Sequence, residues 1–163
     1  MADEAPQFDK APSFISDVQM THDVSDDGKA ITIAFGNFTA AIVPFGPPQV
    51  VRTFSLVLPL KNAAAGARLT GGLQGGGAME PGTRGMLIFR AGGVSQAFDP
   101  LFGPGEVNGF LKPINLPVPA GGDLPMTIVL GLEGSATDPK AQAAVNMTTL
   151  DLTIEPGQPE LKV

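Results

Sequence analysis

Apolar and polar residues alternate with a period of two along most of this chain. From Val50, the even positions Val50, Arg52, Phe54, Leu56, Leu58 and Leu60 make a largely apolar face, set against Val51, Thr53, Ser55, Val57 and Pro59. Met126, Ile128, Leu130 and Leu132 alternate with Thr127, Val129, Gly131 and Glu133 in the same way, as do Leu150, Leu152 and Ile154 with Thr149, Asp151 and Thr153. Successive side chains of a strand point to opposite faces, so the pattern predicts antiparallel sheet with one covered face. Pro59 falls near a strand end, where a missing N–H costs least.

Between Lys29 and Val43 the alternation changes phase. Ile31, Ile33 and Phe35 hold odd positions, then Phe38, Ala40 and Ile42 hold even ones. A β-bulge at Gly36-Asn37 keeps both halves facing one core; two short strands joined by a kink is the alternative. Ser25-Asp26-Asp27-Gly28-Lys29 is a hairpin turn between a strand over Ile15 to Val24 and the next one. Leu69 to Gly77 is glycine-rich with few large side chains, so its pairing is weakly specified. Short strands follow at Met86 to Arg90 and Val94 to Phe98, and Ile114 to Pro119 reads as a proline-bearing edge. The loop Ser135 to Lys140 leads toward a helical turn near Ala141.

These elements predict an all-β fold, a single antiparallel β-sandwich of eight or nine short strands, with jelly-roll and Ig-like topologies both open. A closed barrel is the alternative. The sandwich spans residues 13–155, between a polar N-terminal arm over 1–12 and a polar C-terminal tail over 156–163.

Composition narrows the chemistry. Among 163 residues there are 21 Gly and 16 Pro but one His and no Cys, Trp or Tyr, which removes thiol nucleophiles, thiolate metal sites and most ring-stacking platforms. The net charge is −6 and the ten Lys and Arg are scattered, so no basic stripe exists for nucleic acid. No run is long and apolar enough for a helical membrane span. Low charge, small residues and many Thr suit an exported protein. Ala2 to Gln7 resembles the mature end left after signal-peptide removal.

Candidate sites are few. Met20 and His22 share a strand face and Asp23 follows, a set that would hold copper or zinc; a surface His beside an acidic turn is the plain alternative. Asp23 to Gly28 carries hard oxygen ligands suited to calcium but lacks the spacing and distal Glu of an EF-hand, and Asp and Gly are ordinary turn residues. Gly71 to Gly77 has no Lys-Ser/Thr ending and is no phosphate cradle. Asp151 and Glu133 are the acids set within apolar strands, both on the polar phase. Asn37 and Asn146 head glycosylation sequons that fall inside strands. The loop from Phe98 to Phe110 offers Phe98, Leu101, Phe102 and Phe110 as an exposed contact cluster, or as a cap on the open end of the sandwich.

Asp26 to Ala40, with its turn, apolar strand and Phe38-Thr39-Ala40, resembles the opening hairpin of a family of small secreted β-sandwich proteins of unknown function. The order of the later segments Arg52 to Leu60, Arg68 to Gly72 and Leu87-Ile88-Phe89 is similar too. Members carry cysteines where this chain has Thr53, Phe54 and Asn115. The resemblance implies export and a β fold, and assigns no catalytic residue. The function expected is a non-enzymatic exported binding or interaction module without cofactors, acting on a protein partner or by self-association. A self-assembling subunit of a coat, fibre or surface layer, and a metal binder using His22, are the alternatives.

Overall fold

The computed structural model describes residues 6–8, 13–14, 18–62, 66–101, 109–119 and 122–156. Every regular element among them is a strand: β1 (Gln7–Phe8), β2 (Ser13–Phe14), β3 (Met20–Val24), β4 (Ala30–Ile42), β5 (Gln49–Lys61), β6 (Arg68–Met79), β7 (Arg84–Ala91), β8 (Val94–Phe98), β9 (Phe110–Pro117), β10 (Asp123–Glu133) and β11 (Ala143–Glu155). Nine of these have five or more residues, and β1 and β2 are two-residue pairings on β5. Near Ala141 the chain makes one hydrogen-bonded turn, with the Ala141 N–H donating to Asp138 O (3.1 Å), and Ala141 is buried just ahead of β11.

One sheet runs β3-β4-β11-β6-β9, and the other runs β1-β5-β10-β7-β8 with β2 also on β5. All pairings are antiparallel, and those of β4 with β11, β5 with β10, β6 with β9 and β7 with β8 nest inside one another. The chain from β4 to β11 is therefore one long ribbon, doubled back on itself and rolled into two sheets. That is a jelly roll, which resolves the topology the alternation left open.

The inner faces follow the alternation. Phe54, Leu56, Leu58 and Leu60 of β5 are buried against Leu124, Met126, Ile128, Leu130 and Leu132 of β10 and the even-phase residues of β11. The bulge expected in β4 is present. Between the pairs Phe38–Met147 and Ala34–Thr149, β4 has three residues where β11 has one. Phe35, inside the bulge, stays half-buried and packs edge-on against Phe38 and Phe54, with centroids 5.2 and 5.1 Å away. β11 changes phase at the same level, from Val145 and Met147 to Leu150, Leu152 and Ile154, so both strands keep one core.

β6 departs from the weak pairing expected of it. It is ladder-bonded along both edges, to β11 and to β9. Buried Leu69 and Leu73 fix its register, and its glycines let β11 approach closely. A Cβ on Gly71 or Gly77 would overlap the carbonyl oxygens of Asp151 or Ala144. Each side of the sandwich is clasped. Gln96 of β8 donates to Pro113 O (2.8 Å) and accepts from the Asn115 N–H (3.2 Å) on β9. Phe8 N–H donates to Gly28 O (2.7 Å) in the β3–β4 turn, which ties the described part of the N-terminal arm to the other sheet.

Candidate functional site

The outer face of the six-stranded sheet is organised in rows set by register. Gln49, Glu133 and Arg84 lie side by side on β5, β10 and β7, followed by Val51, Gly131 and Met86. Next come Thr53, Val129, Ile88 and Ala97, and then Ser55, Thr127, Arg90 and Ser95. Apart from the exposed Thr53 at one end, the two central rows form an apolar band. The flanking rows are polar and bonded within themselves: Gln49 Nε2 to Glu133 Oε1 (3.5 Å), Arg84 Nη2 to Asp99 Oδ1 (2.7 Å), and Arg90 Nε to Ser95 Oγ (3.0 Å). Ser55 and Thr127 hydroxyls sit 3.3 Å apart.

A recess of about 280 Å³ opens in this band, where Gly131 contributes no side chain between Val51 and Met86. Val51, at the open end of its row on β5, is 62% exposed. Its floor is apolar, while Arg84, Asp99, Gln49 and Glu133 form the rim. A Cβ at Gly131 would meet only Met86 Cε, at 3.6 Å, so the gap is space the fold leaves unused.

At the same end of the sandwich the β4–β5 loop carries an aromatic side chain into solvent. Gly46 N–H donates to Val43 O (3.0 Å), closing a turn over Val43-Pro44-Phe45-Gly46. Phe45 stands at its third position with φ 57°, where a type II turn ordinarily places Gly or Asn. For a bulky residue the left-handed conformation costs roughly 1–2 kcal/mol. Its N–H donates to Pro139 O (2.8 Å), pinning the turn to the β10–β11 loop, and its ring is 72% exposed. No other aromatic side chain among the described residues is as exposed. Alternation did not flag it, because Phe45 lies in a loop; a large residue where the Pro44-Phe45 turn wants glycine was the available signal.

The sequence candidates distribute as follows. Met20 packs on the core from edge strand β3, while His22 and Asp23 are exposed beside it. Among the described residues no three His, Cys, Asp or Glu side chains are grouped to hold a metal. Asp27 is committed to its turn: its Oδ1 accepts from Ser25 Oγ (2.6 Å) and the Lys29 N–H (3.0 Å). Chiefly the Ser25 bond, and then that of Lys29, hold its carboxyl below the usual range. Asp151 accepts from Thr32 Oγ1 (2.7 Å) on the five-stranded sheet, on the opposite sheet from Glu133. Asn37 and Asn146 are exposed on β4 and β11, and Asn146 Oδ1 accepts from Thr39 (2.9 Å).

Of the two readings of Phe98, Leu101 and Phe110, exposed contact or cap, burial agrees with the cap. Leu101 is fully buried and its N–H donates to Gly85 O (2.7 Å); Phe110 is buried, and Phe98 is half-buried on the core. Lys112 Nζ covers both rings, 5.9 Å from Phe98 and 6.0 Å from Phe110. These side chains close the end of the sandwich because burying their area outweighs leaving it wet. Phe102 lies outside the described residues.

No protein-family model matches the chain, and no curated protein matches it. Among solved structures it is similar to a family 35 carbohydrate binding module from an environmental isolate, at 15% identity and a TM-score of 0.43, over 95% of this chain and 98% of that one. It is also similar to TmCBM61 in complex with β-1,4-galactotriose, at 14% identity and 0.36, over 86% and 89%. A family 11 carbohydrate-binding module from Clostridium thermocellum, in complex with a mixed-linked tetrasaccharide, aligns at 8% identity and 0.30, over 96% and 98%. The architecture given above rests on the strand pairing of this chain, and the saccharides belong to those proteins.

Proposed function

We propose that this protein is an exported, non-catalytic binding module that engages its partner through the outer face of the six-stranded sheet. The observation that carries the reading is the apolar band with its recess at Gly131, framed by two self-bonded polar rows. A floor of Val51, Met86 and Gly131 desolvates at little cost, and the rim groups fix orientation, the division of labour a binding site needs. The polar groups of the rim are engaged with one another, Arg84 with Asp99 as an ion pair and Glu133 with the Gln49 amide, which suits recognition by a fixed polar frame. Low charge content and the absence of cysteine are compatible with export.

The test is an array of oligosaccharides and peptides probed with dilute wild-type protein and with Gly131→Val, whose side chain fills the recess. The expected result is a ligand class retained by the wild type and lost by the variant. Equal retention by both proteins overturns the assignment of this face.

A further inference from the structure

Resting on the reading of this face as the binding surface, we infer that a second copy of the chain occupies the recess, with its Phe45 as the inserted side chain. The segment Val43 to Val51 contains no charged residue, in a chain of net charge −6. Its turn holds the Phe45 ring outward in a backbone conformation that a phenylalanine adopts only at a cost, with the N–H pinned to Pro139. Strain kept together with exposure is a mark of a contact residue. The same molecule carries an apolar recess of about 280 Å³, ample for one phenyl ring.

Charge favours this occupant over an anionic one. The incoming loop is uncharged, and on the rim Arg84 and Asp99 neutralise each other at 2.7 Å, which leaves Glu133, bonded to the neutral Gln49, as the rim's net charge. Asp23, Asp26, Asp27, Asp151 and Glu155 lie on the five-stranded sheet and its β3–β4 turn, away from the contact, while Asp138 stands beside the Phe45 turn. Knob and recess are also neighbours, since Pro48 ends the loop and Gln49 begins the rim. A contact made in both directions about a two-fold axis then closes as a dimer, each copy giving Phe45 and receiving the other's.

The experiment is sedimentation equilibrium on the full chain up to sub-millimolar concentration, for the wild type, Phe45→Ala, Gly131→Val, and an equimolar mixture of the two variants. The wild type is expected to be dimeric. Each variant alone lacks both insertions of the symmetric dimer, so at about thirty-fold per lost aromatic anchor it is expected to associate about a thousand-fold more weakly. The mixture regains association, because the Phe45 of one variant still fits the open recess of the other. If circular dichroism shows Gly131→Val unfolded, Val51→Glu replaces it, placing a charge in the recess from an exposed position. A monomeric wild type, a dimer indifferent to both substitutions, or a mixture no tighter than its components overturns the inference. A monomer that still loses an array ligand on Gly131→Val refutes self-association alone and leaves the binding face standing.

Discussion

On the five-stranded sheet most outward residues are small and polar, Thr21, Thr32, Thr39, Thr70 and Thr153 with Asn115, Asn146 and Asp151, and the large apolar exception is Leu111 on edge strand β9. The six-stranded sheet instead turns Val51, Met86, Ile88, Val129 and Ala97 toward solvent. Both sheets bury similar inner faces, so packing does not require this difference. On the first face hydroxyls bond to strand neighbours, Thr32 to Asp151 (2.7 Å), Thr39 to Asn146 (2.9 Å) and Thr148 to Gln74 O (3.1 Å), which leaves a surface content in water. On the second, apolar area stays uncovered between polar rows. The apolar residues of the second face adjoin one another in two rows, whereas Leu111 stands alone on an edge strand, and a contiguous apolar patch is the kind of surface on which the proposed partner contact rests.

Glycines on the two sheets sharpen the contrast most. Gly77 of β6 has no room for a Cβ, because Ala144 O occupies the place, so Gly77→Ala is expected to cost about 2–4 kcal/mol. Gly131 of β10 has that room, so Gly131→Val should change stability by less than about 1 kcal/mol while removing binding. Urea melts of the two variants side by side check both; a large loss from Gly131→Val would make it a structural glycine like Gly77.

A smaller effect of opposite sign is expected at the β4–β5 turn. Phe45→Gly relieves the left-handed strain of roughly 1–2 kcal/mol, offset by about 0.5–1 kcal/mol for the freer unfolded chain. The net gain of about 0.5–1 kcal/mol should raise the Tm by about 1–4 °C while weakening self-association. Phe45→Ala keeps the strained backbone and should show the weakened association without the gain. A Tm that falls in Phe45→Gly would mean that the ring stabilises its own fold.

The smallest effect is one of pH on the five-stranded side. Hydrogen bonds from Ser25 and Lys29 depress the Asp27 pKa in the folded state, so its contribution is complete above the ordinary carboxylate value and is lost as pH falls through the folded one. Wild type should therefore exceed Asp27→Asn in stability at neutral pH, with the gap closing in acid below about pH 4. Denaturant midpoints measured across that range test it; a gap independent of pH would assign the difference to turn geometry alone.

Much of the inner architecture was legible along the chain. The period-two runs at Val50 to Leu60, Met126 to Glu133 and Leu150 to Ile154 identify residues that are buried, and the phase change at Gly36-Asn37 marks a real bulge. Turn chemistry at Ser25 to Lys29 placed the first hairpin, which Ser25 N–H to Ala30 O (2.9 Å) closes. Less legible was β6, whose glycines read as weak pairing and instead admit the neighbouring strand. At Leu101 and Phe110 contact and cap both stayed open, because loop hydrophobics have no period to say whether they face in or out.

Alternation is a local property: within one strand it separates the covered side from the other, since side chains two residues apart share a face. By itself the sequence determined an all-β chain, the strands with strong alternation, their inner faces and the bulge. It did not determine which strands lie side by side, because pairing joins residues far apart in the chain, such as Gln49 with Glu133 and Glu133 with Arg84. Only the tertiary structure rolled the ribbon into a jelly roll and brought Val51, Gly131 and Met86 into one row. The recess is a product of register across three strands, and no single segment contains it.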